Sequence, residues 1–174
     1  MDREIISLLR VSEIMEVEGN FITVNERPIA PDNLKYPNIR KTYNALVGVK
    51  SAHPEILDFL VKNNVSVVLM RNSYFKDISL AGPQFAGETV CGLSSCDTPQ
   101  KRILLNPQRM SVPEMVRVIY HEYAHCVEVI ERTHKGLPPM TGGWVRTNGE
   151  VKPVGQEIRA EHFRVRAAGL PPKV

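Results

Sequence analysis

Ser111-Val112-Pro113-Glu114-Met115-Val116-Arg117-Val118-Ile119-Tyr120-His121-Glu122-Tyr123-Ala124-His125 is the stretch whose reading decides the fold. Ser111 is a good helix N-cap, and Glu114 three residues on completes a capping box; Pro113 is tolerated in the first turn. Gly136 and Pro138-Pro139 supply the stop. The pattern predicts one long helix from about 112 to 133. His121 and His125 lie well inside it, four residues and about 400° apart, so their imidazoles leave the same face one turn apart. Two His nitrogens so placed can share one Zn²⁺ at about 2.0–2.1 Å. Glu122, beside the pair, is positioned to take a proton from water and pass it to a leaving amine. The chain's own His and Glu frequencies predict roughly 0.01 chance occurrences of this His-Glu-x-x-His pattern.

Two His do not complete a catalytic zinc site, which takes three protein ligands and keeps a fourth position for water. Glu131 follows His125 by six residues, about 240° off the His face on a continuous helix. His134 follows by nine, half a turn off. The remaining candidates lie in Gly155-Gln156-Glu157-Ile158-Arg159-Ala160-Glu161-His162-Phe163-Arg164-Val165-Arg166-Ala167, read as a last helix over about 155–168. Glu157 and Glu161 share a face. Glu157 is the expected third ligand. Glu161 is expected to accept a hydrogen bond from the outer nitrogen of a ligand His, fixing its tautomer. Glu161 and His162 are the fallback ligands. Read alone, with Arg159, Arg164 and Arg166 nearby, the same charges describe a solvated face.

Working outward, Val65–Met70 is a β-branched run and reads as a buried strand. Residues 71–100 are rich in Gly, Ser, Pro and Asp, with a strand expected over 87–93. Residues 101–107, Lys-Arg-Ile-Leu-Leu-Asn-Pro, form the next strand and the candidate free edge for an extended substrate. Upstream, residues 3–16 read as a helix with Ile5, Leu8, Leu9 and Met15 on one side. A short strand over Phe21–Ile29 carries a turn at Asn25-Glu26. Helices are expected over 38–48 and 54–63. Gly142-Gly143-Trp144 reads as a loop that either lines a groove or simply connects.

The 174 residues fit one domain, with an N-terminal helical and β portion over 1–64 and a core over 65–168. Hydrophobic residues make up 43% and charged residues 24%, so a packed core is feasible. A net charge of +3 without a basic run argues against nucleic acid as partner. No apolar run approaches a membrane span, and no secretory signal is visible, so the cytoplasm is the expected compartment, with signal-less export as the other route. Cys91, Cys96 and Cys126 do not suggest a disulfide framework; Cys91 and Cys96 are near enough in sequence to pair or join a metal site.

These residues resemble the gluzincin group of zincin metallopeptidases, with His121-Glu122-Tyr123-Ala124-His125 on one helix and Glu157-x-x-x-Glu161 on the next. More narrowly, Glu157–Arg164 is similar to the Glu-Phe-Phe-Ala-Glu-Ala-Phe-Arg stretch of the anthrax lethal factor and Pro-Pro endopeptidase family. The resemblance spans about residues 65–168. It implies an α+β zincin-like fold, zinc held by His121, His125 and Glu157, Glu122 as general base, and hydrolysis of a peptide or protein substrate. The family carries a Tyr shortly before the ligand Glu, which helps stabilise the oxyanion. No Tyr occurs between 126 and 174 here, leaving Trp144, His134 or Tyr74 as substitutes. The pattern is also similar to the ImmA/IrrE-type regulatory peptidases. The alternatives to an active peptidase are a zinc-containing, catalytically inactive peptide-binding module and a metal-independent interaction protein. Oligomeric state is not legible.

Overall fold

The computed structural model describes residues 1–17, 20–70, 92–96, 100–138, 144–147, 150–153 and 155–169. Residues 87–91 of the expected strand, Tyr74, Cys91 and the Gly142-Gly143 pair lie outside them. The chain is a mixed α+β fold. Five helices, α1 (Arg3–Leu8), α2 (Pro37–Ala52), α3 (Pro54–Lys62), α4 (Val112–His134) and α5 (Gln156–Ala167), are described with seven strands. The strands are β1 (Leu9–Val17), β2 (Asn20–Pro28), β3 (Ser66–Leu69), β4 (Gly92–Ser95), β5 (Arg102–Leu105), β6 (Trp144–Thr147) and β7 (Glu150–Pro153).

The main sheet has the order β2-β1-β3-β5-β4. Its centre is parallel, β1 with β3 and β3 with β5, while β2 and β4 run antiparallel at the two edges. Leu9, Val67, Leu69, Ile103 and Leu105 fall on one face by register. That face packs in one core with Leu46 and Val49 of α2, Leu57 and Leu60 of α3, and Met115 and Ile119 of α4. Burying these branched side chains on one side of the sheet supplies the main driving force for the fold. It also sets α4 across the sheet, where it packs against β4 and β5.

Several expectations need correction. The helix expected over 3–16 ends at Leu8, and β1 takes the rest. Ile5, Leu8 and Leu9 fit a helix locally, but from Leu9 the backbone is claimed by β3, with Leu9 opposite Val67 and Val11 opposite Leu69. Asn25-Glu26 makes no turn. The register of β2 slips there, with Val11 opposite Arg27 and Glu13 opposite Val24, so the breaker residues form a β-bulge. Trp144, expected in a loop with Gly142-Gly143, instead opens the β6–β7 hairpin. The strand at 101–107 is not a free edge either: β5 lies between β3 and β4, and its backbone is paired on both sides. Among the described strands β4 pairs with β5 alone, and it is the edge beside α4.

Candidate metal centre

The helix that carries the centre starts as its sequence dictates. The Ser111 side chain accepts from the Glu114 backbone N–H, and Glu114 Oε2 accepts from the Ser111 N–H, closing the capping box. The helix then runs without interruption to His134, and Gly136, at φ 68°, lets the chain leave it. A continuous α4 disposes of two candidates. Glu131 and His134 are both exposed, away from the His121–His125 face.

α5 packs along α4 and brings Glu157 to the His pair. His121 Nε2 lies 3.0 Å from Glu157 Oε2, His125 Nε2 lies 2.9 Å from Glu157 Oε1, and the two Nε2 atoms are 3.1 Å apart. Among the described residues, His121, His125 and Glu157 form the one group whose ligand atoms, all within 4.8 Å of one another, could hold a metal ion. Glu161 reaches the outer side of the same imidazole, with Oε2 3.2 Å from His121 Nδ1. Its other oxygen, Oε1, accepts from Arg164 Nε at 2.7 Å and from Arg164 Nη2. Both Glu161 oxygens are thus engaged, by His121 and by Arg164, and His162 is exposed.

Proton accounting shows why this arrangement fits a cation. A neutral imidazole carries one N–H. If Glu161 accepts that proton at His121 Nδ1, then His121 Nε2 turns a lone pair toward a carboxylate oxygen and toward a second imidazole nitrogen. Lone pairs at 3 Å repel unless a positive centre lies between them. A proton relieves one such contact, whereas one metal ion relieves all three. Without a metal, the charge pattern recruits protons instead. His121 is pushed up: burial lowers it, but the Glu157 hydrogen bond and the charges of Glu122, Glu157 and Glu161 outweigh burial. Glu157 shows the converse. Burial raises it, and its bonds to His121 and His125 outweigh that, leaving its carboxyl at about 2.

Glu122 occupies a different environment from its neighbours. It is buried, and Oε2 has no hydrogen-bond partner. Ser94 on β4 lies beside the carboxyl group and favours its charged form. Burial pushes Glu122 up, with His121 and His125 opposing. An unpartnered buried carboxylate oxygen is costly and marks a group held ready for a partner.

Sequence reasoning placed His121, Glu122, His125, Glu157 and Glu161, and the structure brings them together. It missed Arg164, although a cation three residues beyond Glu161 on a helix is a legible pair. It missed Ser94, for which the sequence holds no signal. It also missed a disulfide. Cys96, immediately after β4, is bonded to Cys126, with Cα atoms 5.4 Å apart, and Cys126 directly follows His125. Cys96 therefore pairs with Cys126 across 30 residues and not with nearby Cys91.

Compared with protein-family models, with curated proteins and with solved structures, the chain matches none.

Proposed function

We propose that the protein is a zinc-dependent endopeptidase of the zincin type, with Glu122 as general base. The observation that carries this is the convergence of His121 Nε2, His125 Nε2 and the Glu157 carboxylate beside a buried, half-unpartnered Glu122. Two imidazoles and one carboxylate are the donor set of a catalytic zinc site with a position left open. Bound there, zinc supplies Lewis acidity toward a scissile carbonyl and lowers the pKa of a water toward ~7. The chain's residues do the rest. Glu161, itself held by Arg164, fixes the His121 tautomer with Nε2 turned inward. Glu122 Oε2 accepts the proton of the attacking water and returns it to the leaving amine. Burial raises the basicity of that carboxyl, which suits the work. The side of β4 that pairs with no described strand is the candidate edge for an extended peptide, next to Ser94 and Glu122.

The partner is thus a peptide or protein. No helix among the described residues is long and apolar enough to cross a membrane. A catalytically inactive zinc-containing module is the second reading. It is favoured by the lack of any Tyr between 126 and 174 and by the exposed position of His134.

Metal analysis of the purified protein, followed by cleavage of a proteome-derived peptide library by wild type and Glu122→Gln, separates the readings. The peptidase predicts one zinc per chain in both proteins and a 10²–10⁴-fold loss of cleavage, as an order of magnitude, in Glu122→Gln. Zinc without cleavage in wild type selects the inactive module. Cleavage by Glu122→Gln at the wild-type rate overturns the mechanism.

A further inference from the structure

The disulfide joins two elements that meet at the candidate centre. Cys96 directly follows β4, the strand that presents Ser94 to Glu122. Cys126 directly follows His125 on α4 and is fully buried, while Cys96 is 5% exposed. The three candidate metal ligands lie on α4 and α5, not on β4. A short edge strand has few hydrogen bonds of its own, and among the described strands β4 pairs with β5 alone over four residues. The covalent tie at its end adds to that pairing and to its packing on α4.

We propose that the Cys96–Cys126 disulfide is a redox latch. It holds β4 against α4 and keeps Ser94 on Glu122, and its reduction releases that side of the site while leaving His121, His125 and Glu157 assembled. A dithiol opens the latch in two exchanges. One thiol sulfur bonds to Cys96 Sγ as the Cys96–Cys126 bond breaks, with the electron pair leaving on Cys126. The second thiol sulfur then bonds to the first and expels Cys96. Two electrons and two protons pass from the dithiol to the protein sulfurs, and the reductant departs as a cyclic disulfide. Because both sulfurs are buried, the exchange proceeds through an opening of β4, so the latch and the strand move together. A thiol pair in a reducing cytoplasm and a disulfide after export would be two states of one site. The consequence for catalysis rests on the peptidase reading; the latch itself does not.

The test compares the protein equilibrated with oxidised glutathione, the same protein after phosphine reduction, and Cys96→Ser/Cys126→Ser. Maleimide labelling in denaturant is expected to mark neither Cys96 nor Cys126 in the oxidised protein and both after reduction. Hydrogen exchange is then read by mass spectrometry. Backbone amides of 92–95 are expected to exchange about tenfold faster or more in the reduced protein and the double variant. Amides of 119–127 and of α5 keep their protection. Labels on Cys96 and Cys126 after oxidation overturn the proposal. So does unchanged exchange in β4, and so does loss of protection in α4 and β4 together, which marks a general staple and not a latch. None of these readouts involves zinc or substrate, so an inactive protein leaves the latch standing, and a failed latch leaves the peptidase reading untouched. In an active protein, reduction additionally lowers kcat with zinc content unchanged.

Discussion

At the scale of single residues, the chain Arg164–Glu161–His121 is the part of the centre whose strength can be measured without knowing a substrate. Arg164 donates to Glu161 Oε1, which leaves Oε2 facing His121 Nδ1. Outer partners of this kind typically carry 10- to 100-fold in metal affinity, because they fix the ring and raise its basicity. Glu161→Ala is therefore expected to weaken zinc binding by about that factor while keeping one site per chain. Glu157→Ala, which removes a ligand, is expected to weaken it further. Competition with a fluorescent chelator measures both. Equal affinity in Glu161→Ala and wild type would mean that the His121 tautomer is set by something else. At this scale the sequence was most legible, because a helix turns a spacing into a direction. His121 and His125, then Glu157 and Glu161, are each one turn apart, and nothing beyond helix geometry is needed to face them alike. Ser94 was illegible for the opposite reason: its place beside Glu122, 28 residues on, depends on sheet pairing, with Ser94 opposite Ile103.

At the scale of elements, the site depends on where α5 begins. Gly155 precedes that helix at φ 46° and ψ −104°, a region that residues with a Cβ rarely adopt, and its carbonyl accepts the Arg159 N–H that opens the first turn. Among the described residues a methyl group there would meet Arg159 Nη1 alone, at 3.7 Å, so the obstacle to substitution is backbone conformation and not crowding. Gly155→Ala is expected to cost about 1–3 kcal/mol. It is also expected to weaken zinc binding, since Glu157 sits two residues on. Gly136→Ala is the control. That glycine, at φ 68°, lies just past the end of α4, beyond the His pair, and a methyl group added to it would meet nothing within 4 Å among the described residues. Its substitution should lower Tm comparably and leave zinc affinity alone. Equal affinity in the two variants would show that the entry to α5 does not aim Glu157. Element boundaries divided along similar lines in the sequence. The caps of α4 are local and were readable, as was the extent of α3, expected over 54–63 and found over Pro54–Lys62. The extent of α1, the bulge in β2 and the burial of β5 were not, because each is decided by which strand lies alongside. Leu104 shows the consequence: it is 4% exposed in a strand paired on both sides, so a proline there would disrupt the sheet itself and not merely a docking edge.

At the scale of the whole molecule, protons and metal compete for the same groups, and they drive stability in opposite directions with pH. The raised pKa of His121 means that its contribution to metal-free stability is fully present below its ordinary value of 6.5 and is lost as pH climbs through the raised one. Glu157, ordinarily at 4.5 and here at about 2, contributes above 4.5 and loses that contribution as pH falls toward 2. Glu122 is raised by burial, so its ionisation as pH rises above 4.5 adds a loss of the same sign as that of His121. The metal-free protein should accordingly be most stable in mildly acid solution and weaken through neutrality. Zinc reverses this, because it binds the unprotonated imidazoles and its affinity climbs as they lose their protons. A ligand that binds only the folded state stabilises it by RT ln(1 + [L]/Kd), so a tenfold gain in affinity at saturating zinc adds about 1.4 kcal/mol. Melting curves from pH 5.5 to 8 with EDTA and with excess zinc are expected to diverge, the first Tm falling and the second holding or rising. Parallel curves would mean that His121 and Glu157 do not face one another in solution, and the reading of this cluster as a metal centre would fall with them.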